Sequence, residues 1–245
     1  MPSANEIAKM IDHSLLHPTM TDEILENECK VAKEYSVASV CIKPYAVKMA
    51  ADLLKGTDVL VGTVIGFPQG GNTIKVKAFE TEEAINDGAI EIDMVVNIGK
   101  VLSKDWDYIE EEIKTISNIT KKHNAVLKVI FENDFLPEDK YKIKLCEICN
   151  KYKVDFVKTS TGYGFMKSED GKYSYKGATE HDLKLMRKHT NPEVQVKAAG
   201  GVRTYEDTLK VKELGVTRIG ATATIAIVEA ARGNETKTSE TPDGY

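Results

Sequence analysis

Two lysines lie where a protein can use an amine as a nucleophile. Lys158 ends the apolar, β-branched run Asp155–Lys158 and is followed by Thr-Ser-Thr-Gly162, and Lys197 ends the run Val194–Lys197 before Ala-Ala-Gly-Gly. A lysine at the end of a buried strand loses hydration, which disfavours its charged form and lowers its pKa. One such lysine can also extend its ammonium into water. Two of them, each leading into glycines, favour one shared reactive pocket.

The chemistry that an activated lysine offers is attack on a carbonyl carbon with formation of a Schiff base. An amine with a free pKa near 10.4 must lose roughly three units, about 4 kcal/mol, to react well at neutral pH. A second ammonium close by lowers the pKa further, because two like charges disfavour each other. Spacing alone does not decide whether Lys158 or Lys197 is the nucleophile.

Further charged residues fall on the same predicted face as these lysines. Side chains alternate across a strand, so Glu91 and Asp93 share one face, and Lys128 and Glu132 share one face of the next strand. The carboxylate of Asp93 could relay protons during carbonyl chemistry. Lys128 and Glu132 are predicted to act as a neutralising pair that supports the barrel interior.

The elements that must position these residues follow from apolar runs and helical periodicity, which predict eight strands alternating with eight helices. The strands are predicted near Met10–His13, Val37–Ile42, Leu60–Phe67, Ala89–Val96, Val126–Glu132, Asp155–Ser160, Val194–Ala198 and Thr217–Ala221. The helices are predicted over Thr21–Glu34, Ala46–Leu54, Thr73–Asn86, Trp106–Lys122, Glu138–Lys151, Ala178–Lys188, Tyr205–Leu214 and Thr222–Ala231.

This alternation predicts an α/β fold in which crossover helices join parallel strands. Eight units in 245 residues favour a single-domain (β/α)8 TIM barrel, with its catalytic groups at the C-terminal rim of the strands. The Gly-x-Gly-x-x-Gly fingerprint of an open dinucleotide-binding sheet is absent from the sequence. The domain is predicted to span residues 1–245, with a long loop over Gly162–Gly177 and a flexible polar tail from about residue 233 to residue 245.

Composition excludes several function classes. A net charge of -5 argues against a nucleic-acid partner, which needs a basic face. No leader pattern is found, and no run approaches the roughly 18 apolar residues of a membrane span, so a cytoplasmic protein without a membrane partner is expected. Cys146 and Cys149 form a C-x-x-C inside a helical pattern and are predicted to pack a helix, and no metal-ligand spacing is recognised.

Six segments, taken in order, resemble those of deoxyribose-phosphate aldolases. They are Ile11–Leu16, Val40–Pro44, Val64–Pro68, Glu91–Val95, Val157–Gly162 and Lys197–Arg203. The resemblance covers nearly the whole chain and implies a class I aldolase that reversibly cleaves 2-deoxy-D-ribose 5-phosphate to D-glyceraldehyde 3-phosphate and acetaldehyde. It further implies a small sugar phosphate as the substrate, no metal or other cofactor, and a homodimer or homotetramer.

The resemblance also implies roles for individual residues. Lys158 matches the Schiff-base lysine, Lys197 the lysine that lowers its pKa, and Asp93 the acid/base carboxylate. The residues that match substrate-binding positions are Asp12, Cys41, Gly162, Gly200, Gly201, Gly220 and Thr222. Tyr245 matches a C-terminal tyrosine thought to aid proton transfer in some relatives.

Two departures from the family pattern concern the phosphate site. Gly220–Thr224 stands where the family usually has a serine pair, so Thr222 keeps one hydroxyl and Ala223 lacks the other, and Tyr163 stands where some members have lysine. Two alternatives therefore stay open. One is another Schiff-base sugar-phosphate aldolase of the same barrel group with a ketose phosphate donor, and the other is a non-catalytic barrel that binds a phosphorylated ligand.

Overall fold

Eight parallel strands close into a barrel, as the alternation of strands and helices predicts. The computed structural model describes residues 2–167 and 170–234. The strands are β1 (Ile11–Leu15), β2 (Ser39–Ile42), β3 (Leu60–Ile65), β4 (Glu91–Val95), β5 (Val126–Ile130), β6 (Phe156–Lys158), β7 (Met166–Lys167), β8 (Tyr173–Ser174), β9 (Gln195–Ala199) and β10 (Arg218–Ala221). The order around the barrel is β1-β10-β9-β6-β5-β4-β3-β2, and β7 and β8 form a small antiparallel hairpin outside it. The prediction of a (β/α)8 barrel is confirmed.

Helices fill the connections between the strands. They are α1 (Ala4–Ala8), α2 (Asp22–Glu34), α3 (Val47–Leu53), α4 (Ile74–Asn86), α5 (Ile98–Leu102), α6 (Trp106–Lys122), α7 (Asp139–Tyr152), α8 (Glu180–His189), α9 (Tyr205–Glu213) and α10 (Thr224–Ala231), with 3-10 turns at Pro44–Ala46 and Asn133–Phe135. Thr21, Thr73, Thr179 and Thr204 each cap a helix by accepting a hydrogen bond from the backbone three residues on. Across the described ranges, none of the helices combines the length and apolar character that crossing a membrane requires.

The boundaries differ from the predicted ones in a few places. The five-residue helices α1 and α5 and the hairpin β7–β8 were not predicted, because such short elements carry too few residues for a recognisable period. The last helix begins at Thr224, two residues later than predicted, with Ala223 as its N-cap residue. Residues 235–245 of the predicted tail, including Tyr245, lie outside the described residues.

The apolar core lies between the barrel and its helices. Ile92 and Met94 of β4 and Val129 of β5 are fully buried there, whereas Glu91 and Asp93 point into the barrel, as strand alternation predicts. Because the outer faces of the strands supply the apolar contacts with the helices, the inner faces can carry charged groups.

The C-x-x-C pair packs a helix, as predicted. Cys146 and Cys149 lie on α7 as free thiols and belong to the buried apolar cluster. Burial raises the pKa of the Cys146 thiol to about 12 and also raises the pKa of Cys149, so both stay protonated.

A buried ion pair fixes the first turn of α4, just after the loop from β3, against the end of β4. Lys77 donates to the carbonyl of Val95 at 2.7 Å and pairs with Glu112 at 2.6 Å, and both charged side chains are fully buried. Gly70, in the same loop, has φ +69°, and a Cβ at this position would overlap the carbonyl oxygen of Val96. Only glycine fits so close to the strand end.

We expect Gly70→Ala to lower the free energy of unfolding by at least about 2 kcal/mol, because alanine adds left-handed strain to a backbone overlap. Gly71→Ala is the matched control, since a Cβ at Gly71 would meet no atom within 4 Å. Chemical denaturation of both variants measures the difference. If the two variants were equally stable, the loop would be able to rearrange around the added methyl group without loss of stability.

Candidate active site

Seven charged side chains from six strands fill the interior of the barrel. They are Asp12 of β1, Glu91 and Asp93 of β4, Lys128 of β5, Lys158 of β6, Lys197 of β9 and Arg218 of β10. All except Arg218 are 3% exposed or less. Three carboxylates face four cationic groups in this buried space, so the loss of one lysine proton would balance the charge.

The lower part of this cluster is a network of ion pairs around Lys128. Its ammonium lies 2.7 Å from Asp12 Oδ2 and also pairs with Glu91. Arg218 pairs with Asp12 and lies 3.0 Å from Glu91 Oε1. Glu132 takes no part in these ion pairs and accepts hydrogen bonds from Thr161 instead, so the predicted neutralising pair of Lys128 with Glu132 is wrong.

The upper part brings the two predicted lysines onto one carboxylate. Lys158 and Lys197 are register partners on neighbouring strands, and the Nζ atom of each lies 2.8 Å from Asp93 Oδ2. Lys197 also lies 2.5 Å from Asp12 Oδ2. The two nitrogens are therefore close neighbours, held by the same oxygen atom, and only Lys197 has a second carboxylate partner among these groups.

This asymmetry gives the two lysines different proton affinities. Burial lowers the pKa of Lys158 and Asp93 opposes that effect, but the neighbouring ammonium of Lys197 adds to it, so the pKa lies below its usual value. Burial acts on Lys197 too, but Asp12 and Asp93 outweigh it and raise the pKa of that lysine. Of the two, Lys158 is the amine that is more readily neutral.

Asp93 remains ionised beside these cations. Burial alone would raise its pKa, but the ammonium groups of Lys128, Lys158 and Lys197 together hold the pKa of Asp93 below its usual range. A carboxylate in this state can accept a hydrogen bond from a group that binds next to Lys158. The geometry thus supplies a nucleophile, a charged neighbour and an ionised carboxylate within hydrogen-bond reach.

A cleft opens above Lys158 at the carboxyl ends of the strands. Among the residues predicted from the sequence, those that line it are Asp12, Cys41, Lys158, Lys197, Gly162, Gly200, Gly201, Gly220 and Thr222. Asp93 lies just below and contacts both lysines. Burial raises the pKa of the Cys41 thiol to about 11, so this thiol stays protonated at neutral pH.

Glycines shape the side of the cleft formed by the loops after β6 and β9. Gly162, Gly200 and Gly201 have φ values of +89°, +82° and +88°, which side chains rarely adopt. A Cβ at Gly200 would lie 3.2 Å from the ring of Tyr175. These residues leave room for backbone to approach a bound ligand closely.

Tyr163 crosses the mouth of the cleft. Its hydroxyl donates to the carbonyl of Leu16 at 3.1 Å, and its ring packs edge-on against Phe67 with 5.4 Å between centroids. The loops after β1, β3 and β6 thereby meet at one point. An aromatic side chain with a structural hydrogen bond therefore occupies this position of the cleft.

Sequence reasoning gave no functional role to three charged residues of this region. Arg203 lines the cleft, and it could have been noticed because it directly follows the glycine pair and Val202. Arg218 shares an inward parity with Gly220 on β10, and Glu91 shares that of Asp93 on β4. The alternation of side chains assigned a face to Glu91. The ion-pair partners of Glu91 and Arg218 come from strands far apart in the sequence, so their roles could not be read from local patterns.

One group among the described residues places three metal-ligand atoms close together, and it lies away from the barrel interior. Asp139, His181 and Asp182 on α7 and α8 hold their ligand atoms within 4.8 Å of one another. The ammonium of Lys142 already lies 2.5 Å from Asp182 and 3.1 Å from Asp139. These carboxylates therefore have a cationic partner from the protein itself.

We expect Glu91→Gln to lower the free energy of unfolding by about 3 kcal/mol or more, since Lys128 and Arg218 would lose a buried counter-charge. Glu111→Gln, which breaks an exposed pair with Lys114, serves as the control and should change stability by less than about 1 kcal/mol. Thermal or chemical unfolding measures both. A Glu91→Gln protein as stable as the control would contradict the importance of this network.

Comparisons with known proteins agree with this arrangement. The chain matches the DeoC/LacD family aldolase model over residues 6–228. Deoxyribose-phosphate aldolase from Rhodopirellula baltica is 50% identical over 228 residues, covering 93% of this chain and 90% of that protein. The enzyme of that name from Clostridium perfringens strain SM101 is 50% identical over 231 residues, covering 94% and 98%. The tetrameric deoxyribose phosphate aldolase structure from Aeropyrum pernix has a TM-score of 0.82 at 28% identity, covering 94% of this chain and 92% of that one. This chain belongs to the DeoC/LacD family of aldolases.

Proposed function

We propose that this protein is a deoxyribose-phosphate aldolase that reversibly cleaves 2-deoxy-D-ribose 5-phosphate to D-glyceraldehyde 3-phosphate and acetaldehyde. The observation that carries the proposal is the pair of lysines on one oxygen of Asp93, one with a lowered pKa and one with a raised pKa. Relatives at half identity over nearly the full chain carry this name. Family and geometry thus support the same chemistry.

Lys158 is the nucleophile in this proposal. Its neutral amine attacks the aldehyde carbon C1 of the open-chain sugar, and loss of water leaves an iminium that withdraws electrons. Removal of the proton from the C3 hydroxyl then breaks the C2–C3 bond and releases glyceraldehyde 3-phosphate. The electrons of that bond form an enamine on Lys158, which is protonated at C2 and hydrolysed to acetaldehyde and the free amine.

Asp93 and Lys197 have different roles around Lys158: the first relays protons, and the second lowers the pKa of the Lys158 amine. Asp93 is ionised, contacts the Lys158 amine directly and can relay protons between substrate, water and amine. Lys197 stays charged because Asp12 and Asp93 stabilise it, and its charge adds to the effect of burial in lowering the pKa of Lys158. Asp12 therefore acts on the nucleophile through Lys197.

The phosphate of the substrate is proposed to bind at the glycine side of the cleft. Gly200 and Gly201 offer backbone without side-chain obstruction, and Thr222 lines the cleft just before α10. The first turn of α10 follows Ala223, and the N-terminus of a helix favours an anion. Arg203 adds a cationic side chain to the lining where Tyr163 replaces the lysine of some relatives.

Assembly into a homodimer or homotetramer is also proposed for this chain. The Aeropyrum pernix relative is described as tetrameric. Tyr45 and Phe79 are 65% and 63% exposed and line the same surface groove, so this chain has large apolar side chains available for a contact between copies.

The proposed function is tested by trapping the covalent intermediate. The protein is incubated with 2-deoxy-D-ribose 5-phosphate and borohydride, and mass spectrometry of peptides should find the reduced adduct on Lys158. Lys158→Leu should remove the adduct and reduce turnover on the order of 10⁴-fold or more, because no other neutral amine occupies its place. Lys188→Leu, an exposed lysine of α8, is the control.

The reaction products decide between this aldolase and its relatives. Acetaldehyde and D-glyceraldehyde 3-phosphate should both appear in a coupled assay, and the reverse reaction should use acetaldehyde as donor. Condensation with dihydroxyacetone phosphate instead would assign the protein to a ketose-phosphate aldolase. Binding of the sugar phosphate without any turnover or adduct would refute the enzymatic proposal.

We expect Lys197→Leu to lower kcat/KM at pH 7 roughly 10- to 100-fold, because Lys158 would lose the adjacent charge that lowers its pKa. As its pKa rises, a smaller fraction of the amine is neutral at pH 7, and activity should recover as the pH is raised. A pH profile of kcat/KM for variant and wild type measures the shift. An unshifted profile with uniformly low activity would assign Lys197 another role.

A further inference from the structure

Two carboxylates at the carboxyl end of β5 hold both ends of the long loop between β6 and α8. The first is Glu132, which is fully buried and has a left-handed backbone with φ +44°. A non-glycine residue in this conformation is strained and persists only where its surroundings fix it. Burial raises the pKa of Glu132 to about 6, so the carboxyl is still mostly ionised at neutral pH.

Glu132 binds the start of the loop, on both sides of Gly162. Its Oε2 accepts from the Thr161 backbone N–H at 3.3 Å and from the Thr161 hydroxyl, and that hydroxyl oxygen accepts from the Tyr163 N–H at 2.9 Å. Gly164 packs against the same carboxylate, since a Cβ there would lie 2.5 Å from Oε1. The position of Gly162 in the cleft wall therefore depends on Glu132.

Asp134 binds the other end of the loop. Its two oxygens accept from the backbone N–H groups of Lys176 at 2.6 Å and Gly177 at 3.0 Å. Gly177 packs directly on Gly200, because a Cβ on Gly177 would lie 2.6 Å from the carbonyl oxygen of Gly200, and Ala178 donates to that oxygen at 3.0 Å. The position of Gly200, which also lines the cleft, therefore depends on Asp134.

We propose that Glu132 and Asp134 are positioning residues that set the spacing between Gly162 and Gly200 and thereby the affinity of the cleft for the substrate's phosphate. Both act through backbone hydrogen bonds, and neither belongs to the residues that line the described cleft. This inference rests on the proposed function, because it assigns the glycine walls to the phosphate. It assigns part of phosphate recognition to two residues that do not line the cleft themselves.

Simple electrostatics makes the opposite prediction. Two carboxylates near an anion site repel the anion, so their removal would strengthen phosphate binding if charge were their main effect. If they position the walls, their removal weakens binding because the glycines lose their fixed separation. A variant that keeps an oxygen acceptor but not the charge separates the two effects.

The experiment compares 2-deoxy-D-ribose 5-phosphate with 2-deoxy-D-ribose as substrates. Glu132→Ala and Asp134→Ala should each raise the KM for the phosphorylated sugar about tenfold and lower its kcat/KM relative to that of the unphosphorylated sugar by a similar factor. Glu132→Gln keeps an acceptor for Thr161 and should recover most of this ratio. Glu180→Ala, an exposed carboxylate of α8 that pairs with Lys184, is the control with an unchanged ratio.

Each outcome has a separate meaning. Wild-type protein without activity on either sugar would refute the proposed function. Active wild type with variants that bind the phosphorylated sugar equally well or better would refute the positioning role. A loss shared equally by both sugars would also refute it, because the defect would then lie at Lys158. Since Asp134 is only partly buried, its variant gives a result even if Glu132→Ala does not fold.

Discussion

The site depends on one carboxylate oxygen that holds two ammonium groups in a space shielded from water. Asp93 Oδ2 fixes Lys158 and Lys197 side by side, and without it their repulsion would drive them apart. The same oxygen would stabilise both charges equally if it were their only partner. Asp12 breaks this equality by contacting Lys197, so the proton is lost preferentially from Lys158. The reactivity of Lys158 thus originates in the different numbers of carboxylates that contact the two lysines.

The barrel makes this arrangement possible because its register brings residues distant in the chain to the same height. Lys158 and Lys197 are paired across β6 and β9, and Asp93 stands beside Lys128 across β4 and β5. Apolar outer faces such as Ile92 and Val129 pack against helices and leave the inner faces to charged groups. Below the reactive pair, Lys128 and Arg218 each pair with Asp12 and Glu91, so the buried charges of the lower interior are compensated.

Much of this could be predicted from the sequence, because the signals are local. Alternation within a strand assigned Asp93 inward, and apolar runs that end in lysine and glycine identified Lys158 and Lys197 at the cleft. The alternation of side chains along a strand predicts the face on which a residue lies but not its position along the barrel axis. Glu132 was therefore paired with Lys128, although it lies near Thr161. The choice of Lys158 over Lys197 required the contact with Asp12, which is remote in sequence. Contacts between such remote residues form only when the folded barrel brings its strands into register.

The unequal count of four cations and three carboxylates has a consequence for the order of events during turnover. When Lys158 is neutral, the charges of the interior are balanced, and conversion of its nitrogen to a protonated iminium restores one positive charge. In the proposed function, the substrate brings a phosphate anion to the glycine side of the same cleft. Covalent capture and anion binding should therefore reinforce each other electrostatically, so that a sugar carrying phosphate is retained on the enzyme longer than the same sugar without it.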